Sequence, residues 1–377
     1  MELDDRAWLR AMLDVEAALA RACAAEGLIP ARSAQEITTA AHPSRFDVIQ
    51  IGREAARHAT PVIPLVAGLR AAVSEPVRGH VHLGATSQDI VDTALMLLAH
   101  RALGPLLAEA SGCADAAAAL ADGHRQTPMV GRTLLQQALP VSFGLRAAGW
   151  LAGIDSARAR LREVRRADLA VQMGGPVGAR PPAVAARVAA ELGLAEPVLP
   201  WQSIRVRPAS LATSLGVLAG VLGKIARDAT LLAQQEVGEA SEGGNEGGGG
   251  SSAMAHKRNP VAAVSALACA KRVPGLVAAA LATMEQEHER AAGAWQAEWG
   301  VYTELLGLVG SATSWSLRLL EHLQVDPERM AENLQRLSAS GVPEADAAME
   351  HLDGAEALID RALAAHRRLE AVEEERG

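Results

Sequence analysis

Apolar residues recur at helical spacing along most of this chain. Between residues 210 and 240 they follow a period close to 3.6, at Leu211, Leu215, Leu218, Leu222, Ile225 and Leu232. Similar patterns predict long helices over residues 87–122, 140–171 and 260–323, the last with a break near Gly293. Helices longer than about 25 residues indicate a bundle of extended helices. Neither an internal repeat nor an alternation of strands and helices is visible, so we predict an all-α fold.

The two ends of the chain predict shorter elements. Residues 1–40 predict two helices, residues 42–82 short helices joined by turns, and residues 183–192 one further short helix. Residues 324–377 predict two helices joined by SASGVPEADAAMEHLDG. These patterns divide the chain into three segments: residues 1–85, residues 86–323 with a glycine-rich loop at 241–259, and residues 324–377.

Composition narrows the class of protein. Hydrophobic residues make up 49% of the 377 residues but aromatic residues only 2%, so Ala, Leu and Val must form the core. The net charge of -8 is scattered, without the basic stripe or the aromatic platform of a nucleic-acid protein. No uninterrupted apolar stretch reaches the ~20 residues of a membrane span. Cys23, Cys113 and Cys269 have no metal-ligand spacing and indicate reduced thiols, so we expect a cytoplasmic protein.

The most informative segment is residues 243–260, GGNEGGGGSSAMAHKRNP. Gly/Ser runs are usually flexible linkers, but this one lies between two long helices of one bundle and ends in Ser, Lys and Asn. Asn259 and Pro260 are suited to the N-cap and first residue of the next helix. Backbone N–H groups at a helix N-terminus favour an anion, so the segment predicts a mobile loop that closes over a carboxylate.

Three stretches resemble the fumarase/aspartase superfamily. Residues 250–260 resemble its Gly-Ser-Ser, Met-Pro, Lys and Asn-Pro motif, residues 82–89 (HLGATSQD) its first motif, and residues 131–140 (GRTLLQQALP) its second. Residues 287–299 (EHERAAGAWQAEW) resemble the 3-carboxy-cis,cis-muconate cycloisomerases more than the adenylosuccinate or argininosuccinate lyases. The resemblance covers roughly residues 5–335. It implies a long-helix bundle, here with a shortened C-terminal domain.

The resemblance also implies the catalytic residues. Ser251 would transfer the proton, acting as a serinate when it is the base, while Lys257 and Asn259 would hold the carboxylate on which charge accumulates. A serine hydroxyl is too weak a base unless loop amides, a helix N-terminus and Lys257 stabilise its oxyanion. Ser252 and Met254 of the same loop would contact substrate.

The first two motifs and a later arginine supply the remaining expected substrate contacts. By resemblance these are His82, Thr86 and Ser87 of the first motif, Arg132, Thr133 and Gln136 of the second, and Arg205. Each residue also has an ordinary structural interpretation: a structural histidine for His82, helix N-caps for Thr86 and Ser87, and a surface arginine at a helix start for Arg205. Arg205 is expected to hold a carboxylate because guanidinium binds carboxylates in a bidentate fork.

Several positions depart from the superfamily pattern. Lyase relatives carry His at the position of Leu134 or of Gln137, and an aliphatic residue at Leu134 favours the cycloisomerase branch. Ala255 stands where proline is usual, and Val206 stands where an Asp separates two arginines. Residues 338–355 lead directly to a final helix where relatives continue with a full helical domain.

We predict a cofactor-free and metal-free intramolecular lyase that lactonises 3-carboxy-cis,cis-muconate or a related polycarboxylate. Two alternatives remain open: a lyase that eliminates fumarate from a substituted succinate, and a non-catalytic protein that kept the scaffold. The resemblance further implies a homotetramer in which three protomers contribute to each active site. Neither nucleic acid nor a membrane is an expected partner.

Overall fold

The computed structural model describes most of the chain, and its described part is mainly helical, as the apolar pattern predicts. The described residues are 2–243, 249–250, 254, 257–339 and 350–374. Ser251, Ser252 and Ala255 lie outside these residues, as does the greater part of the segment expected to bridge to the final helix.

The helices recur throughout the described residues. They span Asp5–Ala25 (α1), Ala31–Ala40 (α2), Val48–His58 (α3), Val62–Ala71 (α4), Ser87–Gly123 (α5), Phe143–Glu163 (α6), Pro182–Leu192 (α7), Val206–Leu232 (α8), Val261–Ala282 (α9), Ala294–Glu321 (α10), Pro327–Ala339 (α11) and Glu350–Glu374 (α12). Short 3-10 turns at Pro43–Arg45 and Glu75–His80 lie between α2 and α5. The fold class is therefore confirmed.

Some helix boundaries differ from the apolar pattern. α6 ends at Glu163, because a π-helical turn at Val164–Asp168 closes it before the expected end at 171. α8 begins at Val206 and ends at Leu232 rather than near 240. The break expected near Gly293 is wider, since α9 ends at Ala282 and α10 begins at Ala294.

The apolar pattern missed two small antiparallel ladders. Strands Pro128–Thr133 (β1) and Gln136–Ser142 (β2) form a hairpin, and Ala240–Glu242 (β3) pairs with Leu323–Val325 (β4). The expected helix start at 140 therefore falls inside a strand, where Pro140 pairs with Val130. Three-residue strands such as β3 are too short to show an alternation of apolar and polar side chains.

The chain forms two compact units, each assembled from three stretches. Unit 1 comprises Met1–Pro105, Leu161–Leu215 and Gly275–Gly307, and unit 2 comprises Leu106–Arg160, Gly216–Pro274 and Leu308–Gly377. The unit boundaries fall inside the long helices α5, α6, α8, α9 and α10. The division by chain order into 1–85, 86–323 and 324–377 stays a prediction.

Small aliphatic residues fill the core of each unit. In unit 1 the first helix buries Leu13, Val15 and Leu19. In unit 2 the core includes Phe143 and Trp150, whose ring centroids lie 5.7 Å apart in an edge-to-face arrangement. The expectation of an Ala, Leu and Val core is confirmed, and the few aromatic side chains add specific contacts to it.

The expectation that no segment is long and apolar enough to span a membrane is wrong for three helices. By length and composition alone, Ser87–Gly123, Val206–Leu232 and Val261–Ala282 are long and apolar enough to cross a membrane. Alanine, valine and leucine residues raise the mean hydropathy of these helices, although polar residues interrupt each apolar stretch. The most apolar window of Ser87–Gly123 is 78% buried inside the protein, whereas that of Val261–Ala282 is only 28% buried. α9 therefore exposes an apolar surface in the single chain.

Candidate active site

The first motif forms a turn that leads into α5 in unit 1. The backbone N–H groups of Thr86, Gly174 and Gly175 donate to the carboxylate of Asp89, at 3.1, 3.1 and 2.8 Å. Burial raises the pKa of this carboxyl, while Arg290 and the amide donors oppose the rise. Gly175 has a φ of +71°, a conformation that favours glycine and aims its N–H at Asp89.

This arrangement holds the predicted substrate residues Thr86 and Ser87 in place. Thr86 precedes the first residue of α5, Ser87, and both side chains remain partly exposed. Thr86 occupies the position before this 37-residue helix, as expected of a cap, whereas Ser87 is already its first residue. Their contacts with substrate stay predictions. Asp89, which is not among the predicted site residues, fixes the turn that carries them.

His82 precedes this turn and contacts α1. Its Nδ1 lies 2.6 Å from Oε1 of Glu16, a residue in the middle of α1 whose side chain is fully buried. The backbone of His82 has a φ of +63°, in the left-handed region that few residues other than glycine adopt. Resemblance predicts His82 from the sequence, but no motif predicts Glu16, whose polar side chain interrupts the apolar face of its helix.

Arg205 is buried in ion pairs within the protein, which differs from its expected contact with substrate. Its side chain is 1% exposed, with Nη1 and Nη2 at 2.7 and 3.1 Å from the carboxylate of Asp92 and Nη2 also bonded to Glu298. Both the expected substrate role and the interpretation as a surface residue are wrong, since the guanidinium is already occupied by two buried carboxylates. The carboxylate of Asp92 pairs with Arg205 in place of the Asp that Val206 replaces in this sequence.

One guanidinium between two carboxylates leaves this buried cluster with excess negative charge. Burial raises the pKa of Glu298 to about 7, because the charge of Arg205 only partly offsets desolvation and Asp92 adds repulsion. Burial by itself lowers the pKa of Arg205, but the two carboxylates raise it above its ordinary value. Trp295 donates to Asp92 at 2.9 Å, so the cluster joins α5, α8 and α10 within unit 1.

The second motif forms the β1–β2 hairpin of unit 2. Thr133 pairs with Gln136 across a two-residue turn, and both residues are exposed. Leu134 and Leu135 form the turn with φ values of 52° and 65°, and their exposed fractions are 96% and 74%. Two bulky left-handed residues at an exposed tip are strained, since such turns ordinarily take Asn-Gly. The hairpin therefore presents Thr133 and Gln136 beside an apolar tip.

Arg132 corrects a second expected substrate contact. Its Nη1 and Nη2 lie 2.8 and 2.7 Å from the two carboxylate oxygens of Glu239, whose side chain is fully buried. Asn333 of α11 donates to the same carboxylate at 2.8 Å. The guanidinium fork of Arg132 therefore fastens β1 to the segment before β3 and is not free for substrate.

The glycine-rich loop returns on itself before α9. Gly250 pairs with Arg258 in an isolated antiparallel bridge, and the N–H of Asn259 donates to the carbonyl of Gly249 at 2.8 Å. Lys257 and Met254 are exposed. The catalytic assignment of Ser251 and the substrate contact of Ser252 fall outside the described residues, so these stay predictions.

A protein carboxylate occupies the N-terminus of α9. Glu242 of β3 accepts the backbone N–H groups of Ala262 and Ala263 at 3.0 and 2.8 Å. α9 begins at Val261, so the prediction of Asn259 as N-cap and Pro260 as first helical residue is wrong by one position. The helix N-terminus expected to favour a substrate anion is already capped by Glu242.

A cavity of about 940 Å³ lies beside the hairpin in unit 2. α6 and α8 line it with Leu145, Trp150, Val217 and Val221, and β1 contributes Thr133. Its walls are mostly apolar, and it is open to solvent in the single chain.

One cluster of possible metal ligands occurs among the described residues. Ligand atoms of Asp115, His366 and Glu370 lie within 4.8 Å of one another. Nε2 of His366 already contacts Asp115 and its Nδ1 contacts Asp155, both at 3.1 Å, while Arg158 binds Glu370 at 2.7 Å. A cation here would meet the guanidinium of Arg158, so we assign the cluster to the docking of α12.

Comparison with known proteins places the chain in a family. A family model described as lyase matches residues 2–275. The chain therefore belongs to this lyase family, and it is an enzyme of the superfamily that the three motifs resemble.

Particular relatives narrow this class. The chain is 47% identical over 340 residues to 3-carboxy-cis,cis-muconate cycloisomerase of Bradyrhizobium diazoefficiens, covering 88% of this chain and 75% of that protein. It is 42% identical over 364 residues to nitrosuccinate lyase of Streptomyces davaonensis, covering 92% of this chain and 77% of that protein. The crystal structure of 3-carboxy-cis,cis-muconate lactonizing enzyme from Pseudomonas putida matches with a TM-score of 0.85 and 33% identity, over 97% of this chain and 96% of that one.

Proposed function

We propose that this enzyme is a cofactor-free cycloisomerase that lactonises 3-carboxy-cis,cis-muconate or a closely related polycarboxylate. The observation that carries the proposal is the match to the lactonizing enzyme of Pseudomonas putida, which extends over 97% of this chain and 96% of that one. The aliphatic Leu134, where lyase relatives carry His, supports the same choice. We further propose that it works in the cytoplasm in the catabolism of aromatic compounds.

The proposed reaction is an isomerisation within one substrate molecule. A substrate carboxylate oxygen forms the new C–O bond at one end of a double bond, and the electron pair of that bond moves to the neighbouring carbon. That carbon lies α to another carboxylate, which spreads the charge until a proton is delivered. We assign the proton transfer to Ser251 and charge stabilisation to Lys257 and Asn259. A positioned proton-transfer group of this kind contributes about 10²–10⁴ in rate.

The site is proposed to be completed by other copies of the chain in a homotetramer. Exposed apolar side chains on α8 and α9 support this, since Val217 is 43% and Val264 53% exposed. The cavity beside the hairpin adds to this apolar surface. Apolar helical faces of this kind need a partner to cover them.

Turnover and variants test the proposed activity. We expect loss of ultraviolet absorbance of the diene and appearance of a lactone by NMR. Ser251→Ala and Lys257→Met should each lower kcat by about 10²–10³. Lys271→Met, which removes an exposed lysine of α9, is the matched control and should leave the rate unchanged. A wild-type rate in the Ser251 variant would remove this serine from the mechanism.

The assembly has its own test. Val217→Asp places a charge on the apolar face of α8, so sedimentation should show a smaller species with little activity. Val198→Asp, at a residue that is 95% exposed, should leave the tetramer intact. A wild-type monomer with full activity would contradict shared sites.

A second candidate activity is elimination from a substituted succinate. The 42% identity to nitrosuccinate lyase over 92% of this chain favours it. Incubation with nitrosuccinate and other succinyl adducts, with fumarate measured by its absorbance, separates the two activities. Fumarate release without any lactone from carboxymuconate would select the elimination, and no turnover of either substrate would contradict both activities.

A further inference from the structure

Glu16 is a buried carboxylate in an apolar setting. It lies on α1 beside the buried residues Val15, Ala17 and Leu19, and its own side chain is 0% exposed. Removing a carboxylate from water costs several kcal/mol unless a charged or hydrogen-bonding partner compensates. The position therefore requires a specific contact.

His82 supplies that contact. Nδ1 of His82 lies 2.6 Å from Oε1 of Glu16, and Oε2 of Glu16 is buried without a hydrogen-bond partner among the residues that the structure describes. Arg180 donates from Nη2 to the thiol of Cys23 on the same helix at 3.3 Å. Glu16 thus faces the imidazole of His82 directly.

The conformation of His82 keeps its ring in this contact. Its φ of +63° costs about 1–3 kcal/mol for a residue other than glycine, and such strain is often stored at functional sites. The side chain is 15% exposed although Nδ1 faces the interior. Nε2 is therefore the ring nitrogen that Glu16 does not engage, in a residue four positions before Thr86.

Hydrogen-bond chemistry then restricts the protonation of His82. A neutral imidazole carries one N–H, and Glu16 takes the N–H at Nδ1. While Glu16 is ionised, Nε2 can donate to a second carboxylate only when both ring nitrogens carry a proton. The carboxylate of Glu16 favours that form by accepting from Nδ1.

We propose that Glu16 is a positioning residue that holds the ring of His82 through Nδ1, so that Nε2–H is directed at a carboxylate of the bound substrate. The proposal rests on the proposed function, because it takes His82 as a substrate contact. Glu16 itself does not touch the substrate. It acts through His82, as carboxylates beside metal-binding histidines commonly fix the tautomer and orientation of the ring.

Two variants separate positioning from stability. Glu16→Met replaces the buried charge with an apolar side chain of similar length but leaves Nδ1 of His82 without its partner, so the melting temperature should fall. Under the proposal KM for carboxymuconate should also rise about 10- to 100-fold, with a smaller change in kcat. His82→Gln should raise KM similarly, and the double variant should be no worse than His82→Gln alone.

The chain offers a matched control. His80 lies two residues earlier, and its Nδ1 contacts Ser33 at 3.1 Å rather than a carboxylate. His80→Gln should leave KM unchanged. A Glu16→Met variant that melts earlier but keeps its KM would assign Glu16 a structural role only, as would effects of Glu16 and His82 that multiply in the double variant.

A binding experiment keeps this proposal apart from the proposed reaction. Nitrogen NMR of the His82 ring is recorded while propane-1,2,3-tricarboxylate is added. We expect both ring nitrogens to become protonated in the wild type and only one in Glu16→Met, whether or not the enzyme turns over carboxymuconate. Identical spectra in the two proteins, or no response of His82 to the tricarboxylate, would overturn the role of Glu16. Failure of turnover with the expected spectra would overturn only the proposed reaction.

Discussion

Arg205, which directly precedes α8, forms a bidentate ion pair with Asp92 of α5, and both side chains are only 1% exposed. The two residues are 113 positions apart in the chain. Their contact, extended by Glu298, ties three segments of unit 1 together behind the turn that carries Thr86 and Ser87. It also explains why Arg205 is not available to a substrate.

Removal of this guanidinium should destabilise the fold. Arg205→Met leaves Asp92 and Glu298 buried without their shared cation, so the free energy of unfolding should fall by about 3–5 kcal/mol. Arg205→Lys should cost less, because an ammonium keeps the charge but cannot fork between two carboxylates. Urea unfolding followed by circular dichroism measures both. Unchanged stability together with a raised KM would restore the substrate role that the sequence suggested.

Glu298 should make stability depend on pH. Its folded pKa of about 7 lies above the ordinary value of 4.5. Its contribution is therefore fully present below pH 4.5 and is lost as pH rises through about 7. Between these values the free energy of unfolding should fall by about 1–3 kcal/mol.

Glu298→Gln tests this dependence. The amide keeps an oxygen for Arg205 but does not titrate, so the decline in stability between pH 5 and 8 should become smaller. Burial also raises the pKa of Asp89, so this carboxyl contributes to the pH dependence with the same sign. Equal slopes for the wild type and the variant would show that Glu298 does not titrate in this range.

Glu242 should contribute to stability as the cap of α9. Glu242→Ala frees the N–H groups of Ala262 and Ala263 and should lower the free energy of unfolding by about 0.5–2 kcal/mol. Glu285→Ala is the control, since Glu285 is exposed just after the end of the same helix. Equal free energies of unfolding for the two variants would show that the contact of Glu242 does not stabilise α9.

The hairpin tip should show opposite effects on stability and activity. The double substitution Leu134→Asn, Leu135→Gly relieves two left-handed leucines and should raise the free energy of unfolding by about 1–2 kcal/mol. Loss of the two exposed apolar side chains should lower kcat/KM if the strain is kept for function. Thermal melting and turnover are measured on the same sample. A lower melting temperature would show that the leucines are packed in the assembled protein.

Local pattern was sufficient for most helices. The spacing of Leu211, Leu215 and Leu218 predicted α8, because residues three or four positions apart lie on the same face of a helix. The motifs at residues 82–89 and 131–140 were also recognisable locally, and they led to the lyase family. The hairpin at 128–142 was not predicted, because apolar and polar residues alternate irregularly along its strands and its turn lacks Asn-Gly.

The amino-acid sequence by itself determined the helical class, the family and the residue types that carry the chemistry. Only the tertiary structure decided the partners of the charged side chains: Glu16 for His82 across 66 positions, Glu239 for Arg132 across 107, and Asp92 for Arg205 across 113. The reason is physical. Helix formation depends on neighbours within one turn, whereas the pairing of a buried charge depends on which distant segments pack together.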